Sequence, residues 1–327
     1  MKASNWLTHL EYDYKGPVWA HWVRFLESNF TTTRYDERGC GMSDRDIGDL
    51  DFERWVEDLE AVVDAAGIDG PFVLLGVSQG AATAISYAVR HPEKVSHLVL
   101  YGGYAQGINH RGKSADRDFY KAVVDVFRLG WGRDNPAFME VFTSRFLSDG
   151  SHEQLEWFNQ LCEKSLSPET GGDLLMARAD VDVPHLLAQV TVPTLVIHLA
   201  DDAVVPIEHS EILARNIPGA QYVVLQGKIH ILLEDDTAWP ELTRLIRQCT
   251  LGDVADIALD ALTAREIDVL RLICAAQSNK AIANDLGLTE KTIRNHASNL
   301  FSKLGVHSRQ EAILQYSGIV QGGFDRA

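Results

Sequence analysis

Gly76-Val77-Ser78-Gln79-Gly80 is the stretch of this 327-residue chain whose residue types and spacing point most directly to a reaction. A serine hydroxyl is a weak nucleophile until a neighbouring base takes its proton, and it must stand clear of the backbone that carries it. Gly-x-Ser-x-Gly meets the second need when it joins a strand to a helix. The serine then sits on a sharp, strained turn, and the glycines let strand and helix backbones pass close together. The bare pattern arises by chance in roughly one chain in ten, so its setting decides its meaning. An apolar run, Phe72-Val73-Leu74-Leu75, precedes it, and a small-residue stretch, Ala81-Ala82-Thr83-Ala84, follows. That is the setting of strand, turn and helix.

The elements that must position such a serine can be read on both sides of it. Between Asn29 and Leu100, β-branched or apolar runs alternate with helical stretches in the order FTTTRYD, WVEDLEAVVDAAG, FVLLGV, AATAISYAVRHPEKV and SHLVLYGG. This alternation predicts an α/β fold with a parallel sheet and crossover helices. From about 105 to 190 the chain is helix-rich and carries Trp131, Phe138, Phe142, Phe146, Trp157 and Phe158. The segment reads as an inserted helical cap, most of whose aromatics pack helices while some line a ligand pocket. Strands resume with TVPTLVIH and QYVVL.

From Leu262 to Tyr316 the pattern is helical throughout. Helices are expected at 264–275, 279–286, 290–304 and 309–316, with capping boxes at Thr263/Glu266 and Ser308/Glu311 and Gly287 in a tight turn. Ile293, Ala297, Leu300 and Leu304 share one face of the third helix, whose other face carries Lys291, Arg294, Asn295, Ser298 and Ser302. The domains expected are 1–250, a linker at 251–260, and an all-α module at 261–327.

Charge is divided unevenly between these parts. The chain has a net charge of −16, which spread evenly would oppose binding to phosphates. From Asp260 onward, however, eight basic residues meet seven acidic ones, leaving 22 basic against 39 acidic in the preceding part. Cys40, Cys162, Cys249 and Cys274 match no metal-ligand spacing and read as reduced thiols. No metal and no cofactor is expected. With no apolar run of eighteen residues and no secretory core behind Met1, the chain reads as a cytoplasmic protein that does not enter a membrane.

Over nearly all of residues 1–247 the chain resembles the α/β-hydrolase family. The turn Asp36-Glu37-Arg38-Gly39-Cys40-Gly41-Met42-Ser43 is similar to that family's D-x-R-G-x-G-x-S turn, and Ala200 to Pro206 to its acid loop. The resemblance implies Ser78 as nucleophile, His230 as base and Asp202, ahead of Asp201, as the orienting carboxylate. It implies an oxyanion site made by the backbone N–H of Gln79 and that of Trp6 or Leu7. Two positions depart from the family: Asn5-Trp6 replaces the usual His-Gly, and Ile229 the glycine before the histidine. Of the strands that normally precede the first loop only Met1 to Ser4 remain. Either the reading frame begins further upstream, or the open sheet edge must be covered another way.

The segment from Leu262 to Ile313 resembles the LuxR, or GerE-type, helix-turn-helix of bacterial transcription regulators. Leu262 to Glu266, Ser278 to Ala283, Thr289 to His296 and Lys303 to Val306 carry the likeness. It implies DNA as a partner and a homodimer on a two-part site. Lys291, Arg294, Asn295, Ser298 and Ser302 would meet base edges and phosphates, Thr292 would join the DNA-binding set, and phosphates would also fall to Lys280, Lys303, Arg309 and the exposed amides of the helix that Thr289 caps. Ala275-Ala276-Gln277 stands where the family often has a glycine, which should affect a turn rather than the binding face. The sequence thus predicts a DNA-binding regulator whose α/β-hydrolase-like, mostly parallel sheet and helical cap bind a small acyl, ester or lactone-like ligand. The alternative is an active serine hydrolase, esterase- or lactonase-like, with an appended DNA-binding module.

Overall fold

Four apolar runs form one parallel sheet in the computed structural model, which describes every residue except 49, 132–136, 252–261, 305, 307, 314, 315 and 317–327. The strands are β1 (Phe72–Val77), β2 (Val95–Tyr101), β3 (Thr194–Leu199) and β4 (Gln221–Leu225), in that spatial order. Their near-continuous Val/Leu/Ile composition suits a sheet covered on both faces, and every residue of β3 is buried. Helices α1 (Ala20–Asn29) and α2 (Phe52–Ala65) precede β1, and α3 (Gly80–Arg90) crosses from β1 to β2. Between β2 and β3 lie α4 (Ile108–Arg111), α5 (Ser114–Gly130), α6 (Ala137–Thr143), α7 (His152–Ser165), α8 (Pro168–Ala179) and α9 (Pro184–Leu187). Helix α10 (Glu208–Asn216) joins β3 to β4, and α11 (Trp239–Leu251) follows.

The register puts the carboxyl ends of the strands level. Val77 lies beside Tyr101, Tyr101 beside Ile197, and Ile197 beside Val223. Pairing continues one step into each loop: the N–H of Ser78 reaches Tyr101 O at 2.9 Å, that of Gly102 reaches Ile197 O at 3.0 Å, and that of Ala200 reaches Leu225 O at 2.9 Å. Three loops therefore leave the sheet side by side, at the edge where parallel sheets hold their ligands.

The strand expected in FTTTRYD forms no ladder. Met1 to Ala3 pair with β1 through Leu75 N–H to Met1 O at 3.0 Å and Ala3 N–H to Leu75 O at 2.9 Å, and on their far side Lys2 N–H reaches Thr33 O at 3.0 Å. So short a partner offers the Thr33 segment one backbone bond where a ladder needs successive pairs. The edge that the sequence left open is lined by that segment.

The chain divides into two compact units, Met1–Ile246 and Arg247–Ala327. Apart from Leu251, which closes α11, the expected linker lies outside the described residues. The second unit holds α12 (Ala264–Cys274), α13 (Asn279–Leu286) and α14 (Glu290–Leu304), each within a residue of expectation, and the fourth helix is described over 309–313. Thr263 and Glu266 form the reciprocal capping box, and Ser308 Oγ accepts the N–H of Glu311 at 3.1 Å. Val269, Ile273, Ile282, Ile293 and Leu300 are fully buried in a common core, each contributing roughly 1.5–3 kcal/mol by leaving water. No cysteine is in a disulfide. Among the described residues no helix is long and apolar enough to cross a membrane.

Helices α12 and α13 end in the same paired-bond motif, closed by different residues. After α13, Leu288 N–H reaches Ala283 O at 2.9 Å around Gly287, at φ 65°. After α12, Gln277 N–H reaches Leu272 O at 3.1 Å and Ala276 N–H reaches Ile273 O at 2.9 Å, but the left-handed residue is Ala276, at φ 57°. A methyl group in that region costs about 1–2 kcal/mol, partly offset because glycine loses more freedom on folding. Ala276→Gly should therefore stabilise the second unit by about 0.5–1 kcal/mol, read from amide exchange in α12 and α14 across denaturant. Faster exchange in the variant would contradict this account.

Candidate functional site

Ser78 begins the loop between β1 and α3 at φ 53°, a region that side chains other than glycine seldom occupy. Its neighbours show why both glycines are required. A Cβ on Gly76 would stand 2.8 Å from Ala81 Cα, and one on Gly80 would stand 2.7 Å from Ser4 O. Ser78 Oγ lies 2.9 Å from His230 Nε2, and His230 Nδ1 lies 2.7 Å from Asp202 Oδ2. A carboxylate can only accept, so Nδ1 carries the imidazole proton and Nε2 is left to accept from the serine hydroxyl. The other oxygen of Asp202 accepts the N–H groups of Val204 at 2.8 Å and Val205 at 3.0 Å. Burial alone would raise the pKa of Asp202, but His230 and these two amides outweigh it and hold the carboxyl below its ordinary range. Asp201 is exposed, and its side chain stands outside this chain of bonds.

The imidazole is fixed by residues that no sequence motif marked. Tyr101 Oη donates to His230 O at 3.1 Å, and the next N–H, that of Ile231, reaches Phe146 O in the cap at 3.2 Å. Two residues further on, His21 and Trp22 of α1 both bond Leu232 O at 2.9 Å. Burial pulls the His21 pKa down to about 4, so its Nε2 donates from a neutral ring. Gly102, at φ 58°, lies beneath the ring, where a Cβ would meet His230 Cε1 at 3.2 Å. The only signal for these contacts in the sequence was aromatic composition.

Ser78 opens into a cavity of about 360 Å³ between the sheet edge and the cap. Trp6 and Gln79 line it beside Ser78, whereas the Leu7 side chain is buried. Among the described residues nothing accepts a hydrogen bond from the backbone N–H of Trp6, Leu7 or Gln79. Phe142 and Phe146 line the cavity; Trp131 and Phe158 are buried packing, Trp157 stacks on Tyr12 at 4.9 Å, and the Phe138 side chain lies outside the described residues. Arg111, Arg145 and Arg178, none of them singled out in the sequence, also reach the wall. Arg178 is buried between the rings of Trp6 and Trp55 and paired with Glu37. The Asp36 turn anchors the cap, with Gly41 N–H on Ser165 O at 2.8 Å.

In the second unit, α14 buries Ile293, Ala297, Leu300 and Leu304 and exposes Lys291, Arg294, Asn295, Ser298 and Ser302. Thr289 Oγ1 accepts the N–H of Thr292 at 3.2 Å and bonds its hydroxyl at 2.9 Å, so Thr289 caps the helix and Thr292 is half-buried. Lys280 is exposed and, like Lys291 and Arg294, has no carboxylate partner among the described residues. Lys303, also exposed, has an acidic partner. Its ammonium sits 2.7 Å from Glu266 Oε2, and that pairing removes it from the group of unpartnered cations. Arg309 is likewise held, by Asn279 Oδ1 at 3.1 Å and by Gln277 O.

Known proteins match both units. The family model described as serine aminopeptidase, S33, matches residues 20–237, and that of bacterial regulatory proteins, luxR family, matches residues 260–315. A pyrrolizixenacetamide deacetylase of Xenorhabdus hominickii is 25% identical over 207 residues, covering 63% of this chain and 76% of that protein. A karrikin insensitive 2 receptor IA of Petunia hybrida is 24% identical over 255 residues, covering 70% and 85%. The esterase EaEST of Exiguobacterium antarcticum shares the fold with a TM-score of 0.62 at 23% identity, over 75% of this chain and 88% of its own.

The Lys303 pair gives the second unit a defined response to acid. Lys303, and after it the Thr263 N–H, pull the Glu266 carboxyl down to about 2. An unfolded glutamate titrates near ~4.3, so as pH falls the unfolded chain takes up the proton first. The stabilisation is complete above about pH 4.3 and is lost as pH falls toward 2. Glu266→Gln should weaken the unit at neutral pH and flatten its stability between pH ~4 and ~2, followed by amide exchange in α12. An unaltered acid profile would refute the assignment.

Proposed function

Because the chain belongs to the serine aminopeptidase S33 family through residues 20–237 and carries a luxR-family module at 260–315, we propose that it is a transcription regulator whose hydrolase-like domain senses a small acyl, ester or lactone-like molecule. The observation that carries this reading is the outer face of α14. Lys291, Arg294, Asn295 and Ser298 stand exposed on a helix whose other face is locked into a core. Such a face fits a major groove, where a guanidinium pairs bidentately with guanine and an amide with adenine. Lys280 and the amides left free in the first turn of α14 take phosphates at the start of their helices. One module makes few contacts, so two copies on a two-part site supply the affinity. A chain that works on bacterial DNA works in the cytoplasm.

The second reading, a serine hydrolase with an appended DNA-binding module, is favoured by the unbroken relay from Ser78 to Asp202. In that reaction Ser78 Oγ adds to the substrate carbonyl as its proton passes to His230 Nε2, and Asp202 stabilises the imidazolium. The oxyanion meets the amides of Gln79 and of Trp6 or Leu7. The proton then passes to the leaving group, and water attacks the acyl-serine by the same route. One relative is named a deacetylase and another a receptor, which suits a fold that serves both roles.

Two measurements separate the readings. On DNA from upstream of its own reading frame, at a stated salt concentration, Arg294→Ala should weaken specific binding by about 1–3 kcal/mol. Lys280→Ala should weaken binding to every sequence and reduce the salt slope by about 1. Equal affinities for wild type and both variants would sink the regulator. For the cavity, a fluorophosphonate should label Ser78 and leave Ser78→Ala unlabelled; ester turnover lost in the same variant favours the hydrolase, and labelling without turnover favours the receptor.

A further inference from the structure

Two guanidinium groups without a counter-ion stand in the cap wall above Ser78. Arg111 closes α4 and Arg145 follows α6, so they reach the cavity from the start and the middle of the cap sequence. Arg111 lies 4.3 Å over the Tyr104 ring and Arg145 lies 5.9 Å over that of Phe119. Among the described residues neither guanidinium has a carboxylate partner, and Nη1 of Arg111 is buried with nothing to donate to. The one carboxylate in the described wall, Asp116, is turned to its own helix start, where it accepts the N–H of Lys113 at 2.9 Å. Burial lowers the pKa of both arginines, and at Arg111 the charge of Arg145 adds to the lowering.

Other arginines of the domain have partners within the chain. Arg34, Arg38, Arg128 and Arg178 are each paired with an acidic residue, in a unit where acidic residues outnumber basic ones, and Arg45 and Arg117 are held by backbone carbonyls. Half-buried like charges repel more strongly in a low dielectric than in water, and an anion bound between them offsets that cost. A carboxylate meets a guanidinium in a planar, two-bonded fork and leaves the apolar part of a ligand free for Val124, Phe142 and Val205.

We propose that the ligand of this cavity carries a carboxylate held by Arg111 and Arg145, joined by a short apolar chain to the carbonyl that faces Ser78. The inference rests on reading the cavity over Ser78 as the sensing site and narrows its ligand to half-acids of the ester or lactone class.

The test is titration calorimetry of the full chain carrying Ser78→Ala, which blocks turnover, with monomethyl adipate and with neutral dimethyl adipate. The monoester should bind more than about tenfold tighter, as expected for hydrogen bonds to a charged group. Arg111→Gln and Arg145→Gln should each bring that ratio close to one. Equal or tighter binding of the diester, no binding of either ester, or a ratio that survives both substitutions would each overturn the proposal. The first comparison needs neither arginine variant, so a variant that fails to fold leaves the test standing. Fluorophosphonate labelling and DNA binding report separately: if both persist while the monoester shows no preference, the carboxylate falls and the sensing site stands.

Discussion

One backbone ladder, running past the ends of the strands, is the constraint on which the rest of the hydrolase-like unit depends. Ser78, Gly102 and Ala200 each donate to the neighbouring strand at the first residue beyond their own. These bonds fix where three loops begin, and with them the nucleophile position, the floor under the imidazole and the acid turn. A slip of one residue in β1 would turn every side chain of that strand to the opposite face and carry Ser78 out of reach of His230. The left-handed serine costs about 1–2 kcal/mol, yet it is over-determined by Gly76 against Ala81 on one side and Gly80 against Ser4 on the other.

Placement of the imidazole adds a second layer, because it joins the cap to the sheet. The backbone beside His230 bonds Tyr101 in β2 and Phe146 in the cap, and the chain two residues on is held by α1. Phe146 also lies against the imidazole, with ring centroids 5.8 Å apart, and directly follows Arg145. Under the proposed binding mode, a ligand that engaged Arg145 would act on the segment that positions the base. Such a ligand shifts a conformational equilibrium only by the difference in its affinity for the two states. A charged contact on a cap element, formed when the ligand is present and absent otherwise, is a source of that difference.

How much of this was legible in the sequence followed from how local each determinant is. The serine elbow needs five adjacent residues, and α12 to α14 declare themselves through capping residues and a 3.6-residue apolar period, so their bounds were read to within a residue. The relay of Ser78, Asp202 and His230 spans 152 residues and came from resemblance; nothing in its spacing carries it. FTTTRYD has strand composition but meets too short a partner for a ladder, a property of the pairing and not of the segment. Arg111 and Arg145 were invisible because only the folding of the cap brings their side chains to one cavity. The pairing of Lys303 was invisible for a similar reason: its partner, Glu266, lies 37 residues away in the sequence.

The distribution of charge then decides what kind of recognition each unit can perform. With 39 acidic residues against 22 basic ones before Asp260, the hydrolase-like unit repels DNA and small anions alike at long range. At physiological salt that field fades within about 8 Å, so attraction must come from groups close to the bound partner. On α14 those groups are a few cations without a carboxylate partner among the described residues, together with the amides of its first turn, a small set for one module, which is why the proposed reading pairs two. In the cavity they are two arginines that have no carboxylate partner among the described residues, despite the acidic excess of the unit. A pocket of that kind gains little from net charge and much from the short, directional fork between guanidinium and carboxylate. Under the proposed reading its occupancy would follow the shape and charge of one ligand more than the general concentration of anions, which is the discrimination a sensor requires.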